Sequence, residues 1–294
     1  MSDRTRGELA LIAVTLVWGA SFVLVKSTLD HVSTWLFLAA RFTVAALTLM
    51  LFFGKRTAVK GSARLLAIRG GVLAGLCLAS GFFFQTFGLR HTTPSKSAFI
   101  TGLTSALVPF LAFLVYRKAP HPSEVMGVAM ATVGLGLLTM PAGSLGIGYG
   151  DAISLCCTVA FAGHILLLGR YSPIAPFELL STTQLTVTAA VCWAMVAFVE
   201  VPYGGTQVRV WSAVLLTGIL CTAIPFTVQA WAQQHTTSTR VALIFAIEPL
   251  SAAITSYAVL GETLTAKAAL GALLILAGVL TVELKPGRPL KHPS

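Results

Sequence analysis

Ten long apolar segments constrain the fold of this chain more than any other feature of its 294 residues. Each has roughly the 20 residues that an α-helix needs to cross the hydrocarbon core of a bilayer. They lack the alternation of a barrel strand, and a backbone in lipid must satisfy its own hydrogen bonds, so each is predicted to be a helix. The predicted spans are 8–28, 33–53, 65–89, 94–116, 122–140, 151–170, 177–199, 211–234, 239–260 and 265–284.

The composition excludes a soluble protein. Only 10% of the residues are charged and 56% are hydrophobic, whereas an ordinary soluble domain is about 25% charged. The net charge of +10 does not indicate nucleic-acid binding, because the basic residues lie between apolar runs and not on a folded polar surface with aromatic platforms. We expect membrane lipid, and no nucleic acid, to contact the chain.

Lysine and arginine residues are concentrated on one side of the predicted spans, most densely at 54–69. The positive-inside rule places this side in the cytoplasm, and an even number of spans returns the chain to the side on which it began. The sequence therefore predicts a multi-pass protein of the inner (plasma) membrane with cytoplasmic N- and C-termini, and residues 285–294 are predicted to be a cytoplasmic tail.

The two halves of the chain resemble each other at a nearly constant offset. His91-Thr92-Thr93 recurs 144 residues later as His235-Thr236-Thr237, and the same offset pairs Gln85 with Gln229. Near the start of each half the offset is 143, which pairs Gly7-Glu8 with Gly150-Asp151.

Each half holds five predicted spans. Because five is odd, the second half enters the membrane from the opposite face, which is the inverted repeat of many secondary transporters. The predicted fold is therefore all-α: a polytopic membrane protein of ten transmembrane helices in two inverted five-helix repeats, at residues 8–141 and 150–284.

Short motifs in this order resemble the EamA family of the drug/metabolite transporter superfamily. They are Trp18-Gly19-Ala20-Ser21-Phe22, Arg41-Phe42, Glu248-Pro249 and Leu260-Gly261-Glu262. The resemblance covers about residues 8–284 and implies a ten-helix inner-membrane carrier that exports amino acids or other small metabolites. The first repeat has Arg117-Lys118 where the second has Gly261-Glu262, so the acidic end usual in the family is present in one repeat only.

Ionisable residues inside predicted spans are the first candidates for a solute site, because such a group near the bilayer centre costs about 2.5–3.5 kcal/mol on insertion scales. Glu248 lies near the midplane, where it either binds a substrate amine or a proton, or forms a neutral hydrogen bond between helices. Arg41 either contacts a substrate carboxylate, pairs with Glu248, or joins two helices. His164 either titrates during transport or is hydrogen-bonded between helices.

Amide and aromatic residues complete the predicted cavity. Gln85 and Gln229 are related by the repeat and either line the cavity or hydrogen-bond between helices. Trp18 and Phe22 share one helical face, since they are four residues apart. With Phe82, Phe161 and Trp231, they either form walls for an apolar or aromatic solute or pack in the core.

The predicted function is secondary transport of a small organic solute by alternating access, with export of an amino acid or related metabolite. No catalytic residues, metal ligands or cofactor are predicted, because the sequence lacks paired carboxylates, a His-rich cluster and a nucleophile–base pair at recognisable spacing. An intramembrane enzyme and a channel are the alternatives, although a channel would favour a symmetric oligomer with a filter. The sequence is compatible with a proton as coupling ion and with facilitated transport, and with a monomer or a weak dimer.

Overall fold

The computed structural model describes residues 1–54, 60–117, 119–139, 148–204, 207–260 and 265–283. The predicted tail at 285–294, Lys118 and the Gly261-Glu262 motif lie outside these residues. The helices are α1 (Asp3–Leu29), α2 (Thr34–Phe53), α3 (Ser62–Arg90), α4 (Pro94–Gly102), α5 (Thr104–Tyr116), α6 (Pro122–Thr139), α7 (Tyr149–Tyr171), α8 (Phe177–Phe198), α9 (Val208–Gly218), α10 (Ile224–Ala232), α11 (Ser238–Phe245), α12 (Glu248–Leu260) and α13 (Ala266–Glu283).

These helices form ten segments within the described residues, as the sequence predicts. Eight segments are long and apolar enough to cross a membrane, and α6 and α13 contribute the shorter apolar stretches Pro122–Leu138 and Ala266–Val282. Seven segments are single helices. The other three are interrupted, between α4 and α5, between α9 and α10, and between α11 and α12.

Proline and serine account for two of the interruptions. Pro249 is the second residue of α12 and has no N–H for the carbonyl of Phe245, at which α11 ends. The repeat places Ser105 at the position of Pro249, and its hydroxyl donates a hydrogen bond to the carbonyl of Gly102, 2.8 Å away, where α4 ends. The two repeats therefore break the same segment with different residues.

The packing of α6 on α13 shows that the repeats are inverted. These helices are the fifth segments of the two repeats. A methyl group at Gly127 would lie 2.7 Å from the carbonyl oxygen of Gly278, and one at Gly134 would lie 2.6 Å from that of Gly271. The early residue of one helix meets the late residue of the other, so the equivalent helices are antiparallel and in backbone contact.

The two repeats share one interior. Helix α3 packs on α7 and α8, while α1 packs on α10 and α12, so the largest contacts cross from one repeat to the other. Phe37, Phe42, Leu78 and Leu185 are completely buried in the shared core. The outer faces are apolar: the Phe52 side chain, for example, is 79% exposed, as expected of a surface that lipid covers.

Candidate functional site

A cavity of about 810 Å³, counted with the space at its opening, lies between the two repeats. Its walls come from the first, second, third, fourth, sixth, eighth and ninth helical segments. All eight residues that the sequence analysis selected line it, namely Trp18, Phe22, Arg41, Phe82, Gln85, His164, Gln229 and Glu248. Phe161 also lines it, whereas Trp231, the remaining aromatic candidate, packs outside the cavity lining beside His235.

Aromatic rings from both repeats contact one another in the cavity wall. The ring of Trp18 lies 5.4 Å from that of Phe226 and 5.0 Å from that of Phe245, between ring centroids. The ring of Phe82 contacts Phe161 edge-on at 5.4 Å and Phe226 at 5.8 Å. Tilted and edge-to-face contacts of this kind are the arrangements that aromatic pairs prefer. Because each ring contacts the next, these rings form a continuous aromatic surface built from both repeats.

Arg41 is buried at the cavity and bonded to the opposite repeat. Its Nε donates to Thr222 Oγ1 at 2.7 Å and its Nη2 donates to the main-chain carbonyl of Cys221 at 3.1 Å. The guanidinium carbon also lies 4.8 Å from the centre of the Phe82 ring, within the range of a cation–π contact. The alternative in which Arg41 pairs with Glu248 is wrong for this conformation, since no such ion pair forms between described residues.

A proline explains why the carbonyl of Cys221 is available. In a regular helix it would accept from the N–H four residues later, but that residue is Pro225. The segment Ile219–Ala223 forms a π-helical turn instead, a local widening that is frequent at functional sites. The indole Nε1 of Trp18 donates to the same carbonyl at 2.8 Å.

His164 and Gln85 are bonded to neighbouring helices. His164 is buried, and its Nε2 lies 2.8 Å from Oε1 of Gln184, the residue that the repeat pairs with Arg41. Gln85 donates from Nε2 to Thr101 Oγ1 at 3.0 Å. Both side chains therefore join helices and line the cavity, so the two roles that the sequence left open for Gln85 coexist. For His164 the hydrogen bond between helices is present, and titration during transport stays a prediction.

Besides the hydroxyl of Thr104, which has no hydrogen-bond partner among the described residues, two acceptor groups in the cavity wall lack a donor there. Gln229 is completely buried and donates from Nε2 to Gln233 Oε1 at 3.1 Å, but its own Oε1 accepts nothing. The Glu248 side chain is also buried, and none of the described residues donates a hydrogen bond to its carboxylate or forms an ion pair with it. Buried polar groups are normally hydrogen-bonded, so both are positioned to receive donors from a bound molecule or water.

The repeat relates many of the lining residues to one another, but Glu248 and His164 have counterparts of a different chemical type. The pairs are Trp18 with Phe161, Phe82 with Phe226, Gln85 with Gln229, Ser21 with His164, and Thr104 with Glu248. Aromatic and amide residues are thus shared by the repeats, whereas Glu248 and His164 have hydroxyl residues as counterparts. These two ionisable residues make a nearly symmetric cavity chemically asymmetric.

The profile of the EamA-like transporter family matches residues 5–140 and 148–284, one match for each repeat. The chain belongs to the EamA-like transporter family. It is a multi-pass membrane protein of a transporter family and not an enzyme. This family is part of the drug/metabolite transporter superfamily, as the sequence motifs indicated.

Relatives of this EamA chain have names that give no solute. An uncharacterized transporter of Archaeoglobus fulgidus is 31% identical over 282 residues, which cover 96% of this chain and 87% of that protein. The uncharacterized transporter YyaM of Bacillus subtilis is 26% identical, covering 93% of this chain and 92% of that protein. A solved crystal structure with 18% identity has a TM-score of 0.76, covers 95% of this chain and 97% of its own, and shows the fold alone.

Sequence reasoning missed several residues of this EamA cavity. Thr222 and the carbonyl of Cys221 hold Arg41, and Phe245 supplies a ring beside Trp18. Pro225 was a usable signal for the free carbonyl, since a proline inside a helix removes the N–H that would bond to the carbonyl four residues earlier. No sequence pattern identified the donors that reach this carbonyl, because they come from helices in the other repeat.

Proposed function

We propose that this EamA chain is a secondary transporter that moves a small organic solute, an amino acid or related metabolite, in the direction of export. The observation that carries the proposal is the cavity between two inverted repeats, lined by repeat-related aromatic and amide residues and by the ionisable side chains of Arg41 and Glu248. Inverted repeats support alternating access, because exchanging the conformations of the two halves exchanges the open face.

The polar groups of the cavity favour a solute that carries an ammonium group. Glu248 and Gln229 Oε1 are acceptors that lack donors among the described residues. An ammonium group supplies three donors and a positive charge, and the rings of Trp18 and Phe226 add a favourable cation–π environment. We propose that Glu248 and Gln229 bind this group.

Arg41 supplies a positively charged group that complements the acceptors Glu248 and Gln229. Its Nε and Nη2 are used by Thr222 and Cys221, while Nη1 donates to none of the described residues. A guanidinium in this position binds a carboxylate through its remaining N–H groups. A zwitterion with an apolar or aromatic body therefore matches the cavity at both poles and along its wall.

The repeat boundaries and the membrane topology follow from the same inverted arrangement. We propose repeat boundaries at 8–141 and 150–284, an inner (plasma) membrane location and cytoplasmic termini, with 285–294 as a cytoplasmic tail. The basic residues Arg64 and Arg69 at the start of α3 support this orientation. We also propose a monomer or weak dimer, because a single chain supplies both of the repeats that form the cavity.

Solute counterflow in liposomes tests the function. Purified protein is first screened by thermal shift against a panel of aromatic and aliphatic amino acids, since a ligand that binds the native state raises the melting temperature. Hits are then tested for uptake. Saturable uptake that is stimulated by the same solute on the opposite side is expected of a carrier. A flux proportional to concentration without this stimulation would contradict the proposal, and an imposed pH gradient distinguishes proton-coupled from facilitated movement.

A further inference from the structure

A cluster around Asp151 joins the two repeats at one end of the molecule. Asp151 is in the first turn of α7, in the second repeat, and its Oδ1 accepts a hydrogen bond from Thr92 Oγ1. Its Oδ2 lies 3.2 Å from Lys96 Nζ. Thr92 and Lys96 flank the start of α4 in the first repeat, so these contacts, the Asp151 cluster, cross the repeat boundary.

A cluster around Glu8 repeats this arrangement with the two halves exchanged. Glu8, near the start of α1, accepts a hydrogen bond from Thr236 Oγ1 at 2.9 Å and lies 3.6 Å from Arg240 Nη1. The offset of 143 relates Glu8 to Asp151, and the offset of 144 relates Thr236 and Arg240 to Thr92 and Lys96. The residues of this Glu8 cluster therefore occupy the same positions as those of the Asp151 cluster.

The two clusters lie at opposite ends of the cavity. Glu8 is near the start of α1, while Lys26 near its end donates to the carbonyls of Arg90 and Thr92 beside the Asp151 cluster. Lys26 follows Glu8 by eighteen positions, which correspond to about 27 Å of helix at 1.5 Å per residue. Trp18 and Phe22, which line the cavity, lie between them on the same helix.

We propose that the Asp151 cluster and the Glu8 cluster are the two gates of the transport cycle, each closing the cavity toward one face of the membrane. This proposal rests on the alternating access proposed above. Each cluster joins the first helical segment of one repeat to the fourth segment of the other. A rotation of one repeat against the other that opens one face must break the cluster there, while the second cluster stays formed.

The two clusters differ in the exposure of their basic residues, although the Glu8 and Asp151 side chains are similarly buried, at 12% and 9% exposed. The Arg240 side chain is 5% exposed, whereas that of Lys96 is 32% exposed. Next to the Glu8 cluster, Leu11 packs with Val241 and Ile244 in a buried apolar layer, but the repeat places Ser154 at the position of Leu11 on the other side. The apolar layer beside the Glu8 cluster therefore seals that face more tightly than the Asp151 face.

Cross-linking tests whether the clusters must separate. The variants are Thr92→Cys with Asp151→Cys, and Thr236→Cys with Glu8→Cys, each treated with a short bifunctional thiol reagent. We expect either link to reduce counterflow to the level of protein-free liposomes. The four single variants and the unsubstituted chain, which contains five native cysteines, receive the same treatment and keep their untreated rates. Counterflow that either link leaves unchanged would overturn the proposal.

Labelling of a cysteine in the cavity tests the gates independently of the proposed function. Ser21→Cys places a thiol in the cavity wall, and its reaction with a membrane-impermeant reagent needs no transported solute. With the Glu8 pair linked, we expect reaction only from the Asp151 face, and with the Asp151 pair linked, only from the Glu8 face. Equal access under both links would contradict the gates. Switched access without counterflow of any solute tested would contradict the proposed function and leave the gates supported.

Charge exchange gives a second readout that needs no cross-link. Asp151→Lys and Lys96→Asp each place like charges together and are expected to lower counterflow. The double variant restores an ion pair and is expected to recover it. A double variant that is no more active than the two single variants would overturn the role of this pair.

Discussion

Arg41 donates a hydrogen bond from Nη2 to the main-chain carbonyl of Cys221, 3.1 Å away. This acceptor is available because Pro225, four residues later, has no N–H. Trp18 donates to the same oxygen at 2.8 Å. One proline in the eighth segment thus provides an attachment point for the first two segments of the other repeat, at the wall of the cavity.

Replacement of Arg41 by lysine tests this attachment. Lysine keeps the positive charge but lacks the planar fork that reaches Thr222 Oγ1 and the Cys221 carbonyl together. We expect Arg41→Lys to lower stability by about 1–3 kcal/mol, the cost of leaving buried groups unpaired, and thermal unfolding in detergent measures it. Arg209→Lys, at an exposed position near the start of α9, is the matched control. Equal melting temperatures for both variants would show that the fork is not needed.

Two glycines on α6 give a paired test of the contact between the repeats. A methyl group at Gly134 would lie 2.6 Å from the carbonyl oxygen of Gly271, whereas one at Gly136 would meet nothing within 4 Å. We expect Gly134→Ala to destabilise the protein by about 1–3 kcal/mol through overpacking. Gly136→Ala should be neutral or stabilising by up to about 1 kcal/mol through helix propensity. Thermal unfolding compares the two variants, and a similar loss in both would argue against close packing of α6 on α13.

Local patterns in the sequence predicted the spans and the repeat because both depend on short-range features. Segment length and hydrophobicity predicted ten helical segments, and the offset that pairs Gln85 with Gln229 predicted an inverted arrangement. Polar residues within apolar segments, such as Arg41 and Glu248, predicted residues of the cavity lining, because such groups are rarely left facing lipid.

Contacts between distant residues could not be predicted in this way. The sequence marked His91-Thr92-Thr93 as repeated, but the structure shows that Thr93 caps α4 while Thr92 bonds to Asp151. Pairing of Arg41 with Glu248 was one reasonable alternative, yet Arg41 is bonded to Thr222 and Cys221 instead. The choice depends on where a partner helix places its acceptors, which neither hydropathy nor spacing specifies.

The proposed orientation predicts which positions react from each side of the membrane. Lys60 and Arg209 are both exposed, and the proposed topology places them on opposite faces. In intact cells, we expect a membrane-impermeant maleimide to label Arg209→Cys, and to label Lys60→Cys only after permeabilisation. The chain without these substitutions, with its native cysteines, gives the background. The opposite labelling pattern would invert the assignment of both termini.

Glu248→Gln tests the proposed ammonium site. The substitution keeps the shape of the side chain and removes the charge. Because no described residue pairs with this carboxylate, we expect the melting temperature without ligand to be maintained. Affinity for an ammonium-bearing solute should fall by roughly tenfold or more, since hydrogen bonds to charged groups contribute about 1.5–3 kcal/mol. Thermal shift and counterflow measure both effects.

Glu178→Gln, which neutralises a carboxylate at the start of α8 away from the cavity lining, is the control and should retain the affinity of the unsubstituted chain. A solute analogue that lacks the ammonium group completes a double-mutant cycle. If Glu248 acts on that group, the analogue binds weakly to the unsubstituted protein and loses nothing more in Glu248→Gln. Equal losses for both solutes would mean that Glu248 supports the cavity without contacting the ammonium group.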